Sequence, residues 1–182
     1  MKGIVFSEFV EMVEEVFSPE IADAVIEESD LPSGGSYTTV GTYDHSEILT
    51  LVTKLSEKTG VPVPDLVAAF GKYLFDRFSV LYPAFFSGVG SSFEFLARIE
   101  EHVHVEVRKL YPDADLPRFE TSRPDDATLV MVYSSTRPFA DLAHGLMRGC
   151  VEHYGETVSI DRQDESDESI NRVRFTLVRE NG

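Results

Sequence analysis

The spacing of apolar residues changes once along this chain, and that change limits the folds it can adopt. In the first part apolar residues recur every three or four positions, as at Val5, Phe9 and Met12, which predicts amphipathic helices. In the last part they alternate with polar residues, as at Val173 and Phe175, which predicts strands. Helices followed by a mostly antiparallel sheet that one helix interrupts make an α+β layout.

Turn and cap signals divide these two parts into elements. Pro19 suits the first turn of a helix, while Gly60 and Gly155 are typical of helix ends. An acidic segment, residues 161–169, is predicted to be a hairpin loop. The predicted helices cover about 3–16, 19–28, 44–60, 64–78, 91–111 and 138–154, and the predicted strands cover 116–121, 128–134, 156–161 and 170–180.

Length and charge exclude several classes of protein. At 182 residues the chain is expected to form one domain, or a domain with a small lobe, around a sizeable core. It has no apolar run of 18 residues, so we expect no membrane span. Glu8 and Glu11 come before the apolar core of a signal peptide could form, so we expect the protein to stay in the cytoplasm. A net charge of −16 disfavours nucleic-acid binding. The single cysteine, Cys150, excludes an internal disulfide and a cysteine-rich zinc site.

Two histidines on the predicted 91–111 helix point in opposite directions. At about 100° per residue, His104 shares a face with Phe93 and Val107, whereas His102 lies on the polar face. An inward imidazole suits a metal, although such a histidine, taken alone, is more often a hydrogen-bonded core residue. Glu100 lies on nearly the same face as His104, where it could support that ligand or simply meet water.

A second group of polar residues follows on one of the predicted strands. Because side chains alternate along an extended segment, Tyr133, Ser135 and Arg137 are expected to project from one face. Two hydroxyls and a guanidinium match the geometry of a carboxylate, although an edge strand with a solvated arginine is the plain alternative. Haem combines both demands, because its iron takes an axial ligand and its two propionates need hydrogen-bond donors.

The two motifs together resemble one known family. They are the segment His104-Val-Glu-Val-Arg-Lys-Leu-Tyr-Pro-Asp-Ala and the Y-x-S-x-R pattern formed by Tyr133, Ser135 and Arg137. In this order and spacing they resemble the haem nitric oxide/oxygen binding (H-NOX) domains, relatives of the haem domain of soluble guanylate cyclase. The resemblance extends over nearly the whole chain.

The resemblance implies a fold and a cofactor. It implies an α+β H-NOX fold, in which an N-terminal helical lobe and a C-terminal four-stranded antiparallel sheet with helices enclose haem b, iron protoporphyrin IX. It further implies a single domain over 1–182, with a helical subdomain at about 1–60 and a haem-ligating subdomain at about 61–182.

The resemblance also assigns roles to particular residues. His104 is expected to be the axial ligand of the iron, and therefore the metal-binding residue. Pro117 matches a proline that packs against the porphyrin and helps to bend it, although a simple strand-entry residue is the alternative. The expected propionate donors are Tyr133, Ser135 and Arg137.

The pocket on the other side of the iron decides which gas binds. In relatives that hold oxygen, a tyrosine on the helix after the Y-x-S-x-R motif donates a hydrogen bond, and this chain has Leu142 there. Bound O2 develops negative charge and gains from such a donor, whereas NO depends on one far less. The remaining matching positions are also apolar: Val5, Phe9, Leu74, Phe78 and Leu146. We therefore expect NO and CO to bind and O2 to be excluded, although a plain core role for these residues is compatible.

The resemblance implies a signalling role. In the family, NO weakens the iron–histidine bond and releases strain in the haem, and a separate protein reads the resulting shift. That partner is expected to be a histidine kinase or a cyclic-di-GMP synthase or hydrolase. We expect no enzyme activity, because G-x-S-x-G, H-E-x-x-H and P-loop motifs are absent. The alternative function is a haem-free module that binds an amphipathic carboxylate such as a fatty acid and leaves His104 without a role.

Overall fold

The computed structural model describes residues 1–180, and the chain begins with a group of helices. Ser18 and Asp44 cap the second and third helices, because their side chains accept hydrogen bonds from the N–H groups of Ile21 and Ser46. These helices agree with those predicted from the sequence. They are α1 (Gly3–Val16), α2 (Pro19–Glu27), α3 (His45–Thr59) and α4 (Val63–Leu81).

An antiparallel sheet of four strands forms the second part of the described chain. In sequence order the strands are β1 (Arg118–Ser122), β2 (Thr128–Ser135), β3 (Val158–Asp164) and β4 (Asn171–Arg179), with helix α7 (Ala140–His153) between β2 and β3. Their spatial order is β1-β2-β4-β3. Tyr133 of β2 lies between Phe119 of β1 and Val173 of β4. The predicted α+β class and its four strands are therefore confirmed, although individual strand ends shift.

The continuous α-helix predicted over 91–111 is wrong. The region is divided into α5 (Ser92–Ala97), a π-helical segment (Ile99–Val103) and α6 (His104–Leu110). At the end of the π segment the His104 N–H bonds to the Ile99 carbonyl, five residues back rather than four. Apolar spacing over such short turns does not distinguish the two hydrogen-bond patterns, and no proline or glycine marks the break. The predicted directions are confirmed nonetheless, because His104 is buried and His102 is exposed.

Two clusters of buried side chains form the core. The first lies among helices α1 to α4 and contains Phe6 and Phe70, and the second lies between α5, α7 and the sheet and contains Phe93 and Phe175. Helix α4 contributes to both, because Phe75 belongs to the second cluster. None of the helices within residues 1–180 has the length and apolar character needed to cross a bilayer.

Helices α4 and α7 approach each other closely at two glycines. A Cβ atom on Gly145 would lie 2.0 Å from the Ala68 carbonyl oxygen, and one on Gly71 would lie 2.3 Å from the Leu142 carbonyl oxygen. Both distances are shorter than any tolerable contact, and the neighbouring atoms belong to the backbone. A side chain at either position would therefore separate the two helices.

Replacement of Gly145 by alanine is expected to destabilise the protein. An alanine in a helix ordinarily stabilises by about 1 kcal/mol relative to glycine, but the overlap with Ala68 should outweigh this and give a net loss of about 1–3 kcal/mol. Urea unfolding of the two purified proteins under identical conditions measures the difference. Gly90→Ala is the control, because the nearest atom to its Cβ would be a flexible Glu94 oxygen at 3.8 Å. A G145A variant as stable as the parent would contradict the close packing of α4 and α7.

Candidate functional site

A mainly apolar cavity lies between helices α4 and α7 on one side and the His104 segment with strands β1 and β2 on the other. Its volume of ≈ 350 Å³ falls within the range of small-molecule and cofactor sites, roughly 300–1,000 Å³. Ten of the residues singled out from the sequence line it: Val5, Leu74, Phe78, His104, Pro117, Tyr133, Ser135, Arg137, Leu142 and Leu146. The residues predicted to bind a metal, a carboxylate and a gas therefore line one cavity.

Phe9 is the one predicted pocket residue that does not line the cavity. Its side chain is fully buried in the helical core, where its ring packs edge-to-face on Phe70 at a centroid distance of 5.2 Å. Apolar helical spacing places Phe9 inside the protein but does not say which of two neighbouring spaces it faces. Phe9 therefore contributes to packing among the N-terminal helices.

His104 begins helix α6 and is 8% exposed. Its Nδ1 lies 2.9 Å from Glu100 Oε1, and the same oxygen accepts a hydrogen bond from the Phe119 N–H at 2.8 Å. A carboxylate can only accept hydrogen bonds, so the His104 Nδ1 carries the proton in this one. Its Nε2 is then left with a free lone pair, which is the arrangement found in metal-binding histidines.

The charge state of His104 also suits a ligand. Burial lowers its pKa below the ordinary value, and the Glu100 carboxylate opposes this by favouring the protonated form. Because the lowering is the larger effect, the imidazole is mainly neutral at pH 7. Metal binding requires this neutral form.

The Y-x-S-x-R motif forms a hydrogen-bonded turn at the end of β2. The Tyr133 hydroxyl donates to the Arg137 carbonyl oxygen at 3.0 Å, and the Arg137 N–H donates to Ser135 Oγ at 3.0 Å. Strand β2 ends at Ser135, so Arg137 lies beyond the strand that was predicted to carry all three residues. Their side chains nevertheless line the same cavity, because the turn brings Arg137 back to it.

The donors of this turn fit a carboxylate, and the chain itself supplies one. Arg137 Nη2 lies 2.8 Å from Asp115 Oδ2, while the Asp115 side chain is 64% exposed and that of Arg137 only 20%. Arg137 therefore already pairs with a carboxylate at the lining of the cavity. Burial raises the pKa of Tyr133, so its phenol remains a protonated donor at pH 7.

Two tyrosines that the sequence did not single out also line the cavity. Tyr82 follows helix α4 and Tyr111 follows α6. Burial raises the pKa of Tyr82, and the neighbouring Tyr111 phenol acts in the same direction. Both tyrosines add a phenol to the lining of the cavity, whereas the residues contributed by α7, including Leu142 and Leu146, are apolar as expected.

Comparison with known proteins identifies the family. A sequence profile described as Haem-NO-binding matches residues 2–162. The H-NOX protein from K. algicida, solved in the unliganded Fe(II) state, is 37% identical over 100% of this chain and 98% of its own, with a TM-score of 0.92. An H-NOX from Shewanella woodyi, solved with IWP-051 in the Fe(II)CO state, is 43% identical over 99% of this chain and 95% of its own, with a TM-score of 0.84.

These matches settle the family and confirm the fold. This chain belongs to the H-NOX family, whose profile describes haem binding. A T. tengcongensis H-NOX variant at 22% identity and a TM-score of 0.90, covering 100% of this chain and 98% of its own, supports the fold alone. Comparison with curated protein sequences gave no match.

Proposed function

We propose that this chain is a haem-based gas sensor that binds NO, and CO, at ferrous haem b and excludes O2. The observation that carries the proposal is the meeting of a buried imidazole and a carboxylate-binding turn in one apolar cavity. His104 would hold the iron through Nε2, and Pro117 would pack against the porphyrin. Tyr133, Ser135 and Arg137 would hold the propionates. When bound, haem supplies the coordination position for a diatomic gas.

Exclusion of oxygen is proposed from the α4 and α7 side of the cavity. Leu142 stands where oxygen-holding relatives have a tyrosine, and its hydrocarbon side chain cannot donate a hydrogen bond. Leu146, Leu74, Phe78 and Val5 also line the cavity and also lack donors. NO and CO need no such donor, so these residues select against O2 alone.

The proposed signal begins at the helix that carries His104. The π segment before it contains no fully buried residue, and its Ile99 and Val103 are only partly buried against the core, so its shape is held less firmly than that of a buried helix. We propose that a movement of His104 is passed on to α6 and the sheet, which would shift together relative to a helical subdomain at about 1–60. This would be a two-state change, and a coupling of about 1–3 kcal/mol would regulate a partner several-fold.

We propose that a separate protein responds to this shift, because none of the roles that we propose for this chain is catalytic. A histidine kinase or a cyclic-di-GMP synthase or hydrolase would suit this role. The net charge of −16 would favour a partner with a basic surface, and raised salt would then weaken the association.

Replacement of Arg137 by glutamine is expected to weaken haem binding. It removes the only cationic side chain of the turn, and the loss of about 1.5–3 kcal/mol for a charged hydrogen bond corresponds to roughly tenfold to hundredfold faster haem loss. Transfer of haem to excess apomyoglobin measures the rate. Arg118→Gln is the matched control, because that side chain is 75% exposed and belongs to neighbouring strand β1.

Equal rates of haem loss for the R137Q and R118Q variants would contradict the propionate role of Arg137. The alternative function is tested in the same preparations. If native mass spectrometry found a fatty acid bound by the parent protein and lost from R137Q, while hemin was not taken up, the cavity would be a carboxylate site without haem.

A further inference from the structure

We propose that Glu100 is the positioning residue of His104: its carboxylate fixes the imidazole with Nε2 toward the cavity and ties this side chain to strand β1. The inference rests on the proposed role of His104 as the iron ligand and deepens it. The sequence left two interpretations of Glu100 open, support of His104 or exposure to water at the edge of a helix. The structure favours the first.

One carboxylate oxygen serves donors from two different elements. Glu100 Oε1 lies 2.9 Å from His104 Nδ1 and 2.8 Å from the backbone nitrogen of Phe119, the second residue of β1. Both distances are those of good hydrogen bonds, and an oxygen with two lone pairs can accept both. The backbone N–H of Phe119 can only donate, so this second bond holds Glu100 in place whatever the state of the imidazole.

The other oxygen of Glu100 is not held in the same way. Oε2 lies 4.0 Å from Arg108 Nη2, which is too long for a hydrogen bond, and the arginine side chain is about half exposed. Ion pairs of that kind contribute little. The direction of the Glu100 carboxylate therefore depends on His104 and Phe119 rather than on Arg108.

Through Phe119, the hydrogen bonds of Glu100 (the Glu100 bridge) connect the His104 side of the site with the Tyr133 side. The Phe119 ring lies 6.0 Å from the His104 ring and 5.7 Å from the Tyr133 ring, measured between centroids, and all three residues line the cavity. A displacement of β1 would therefore move the metal-binding imidazole and a residue of the carboxylate-binding turn together. In addition, a carboxylate that accepts from Nδ1–H makes Nε2 a stronger donor to a metal than a neutral acceptor would.

The test compares Glu100→Ala, Glu100→Gln and the control Glu101→Gln, which removes an exposed carboxylate one residue away. Nitrogen-15 NMR of the purified full chain, before haem loading, is expected to show His104 as the Nδ1–H tautomer. E100A is expected to lose this preference. E100Q is expected to keep it, because the amide oxygen still accepts. E101Q is expected to match the parent protein.

After haem loading, resonance Raman spectra of the ferrous proteins give a second readout. The iron–histidine stretching band is expected to move to lower frequency in E100A, to move less in E100Q and to stay unchanged in E101Q. The same tautomer and the same band in all four proteins would overturn the role of Glu100 and leave His104 as ligand. A chain that takes up no haem would overturn the proposed function, while the NMR comparison would still decide whether Glu100 fixes the His104 tautomer.

Discussion

Ferrous H104G protein is expected to lose the five-coordinate haem spectrum of the parent and to regain it when imidazole is added. His104 is buried, lines the cavity and is held through Nδ1 by Glu100, and its removal leaves a space of the shape of the missing ring. Free imidazole should enter that space and donate the same hydrogen bond to Glu100. Absorption spectra of the reduced protein, with and without imidazole, measure both the loss and the rescue.

The matched control for this experiment is His102→Gly. It places the same flexible residue two positions earlier, in the π segment that precedes α6, but His102 is exposed and does not line the cavity. The H102G spectrum should match that of the parent. A normal five-coordinate spectrum in H104G without added imidazole would disprove the ligand assignment, since another side chain would then hold the iron.

Replacement of Leu142 by tyrosine is expected to let the site, which we propose excludes oxygen, hold O2. Leu142 lies on α7 and lines the cavity with other apolar residues, so a phenol there would supply the hydrogen-bond donor that this side lacks. A hydrogen bond to a group that carries charge is worth about 1.5–3 kcal/mol, which corresponds to roughly a tenfold to hundredfold gain in O2 affinity. Spectra of the reduced protein in air, followed over time, measure the gain.

The Leu142→Phe variant distinguishes the effect of the tyrosine hydroxyl from the effect of the added ring. The two variants fill nearly the same volume, and only tyrosine donates a hydrogen bond. L142Y alone should retain O2, while both variants should still bind NO. A stable oxygen spectrum in the parent protein, or equal O2 affinity in L142F and L142Y, would remove the argument for selectivity.

The order of elements could be predicted from the sequence because the signals are local. Helical spacing around Phe9 and two-residue alternation around Phe175 each reflect burial of one face, and caps such as Asp44 mark where helices begin. The inward direction of His104 also followed from the helical wheel. The π segment did not, because the apolar spacing is compatible with both four-residue and five-residue hydrogen bonds and no proline or glycine marks the change.

The composition of the site was predicted better than its geometry. The resemblance of two motifs to a known family predicted His104 and Arg137 as site residues, and both line the cavity. The Glu100 bridge depends on how β1 docks against the π segment, which no local pattern records. Phe9 shows the same limit, because periodicity indicates that a side chain is buried without indicating which space it faces. The roles of the individual site residues remain predictions.

Reduction of the purified protein under anaerobic conditions, followed by addition of NO, tests the central proposal most directly. If His104 and the turn at Tyr133 to Arg137 hold haem, the protein should show an intense Soret band that shifts when NO is added and does not shift in air. A colourless protein that takes up no hemin, or whose cavity yields a fatty acid instead, would contradict the gas-sensing function.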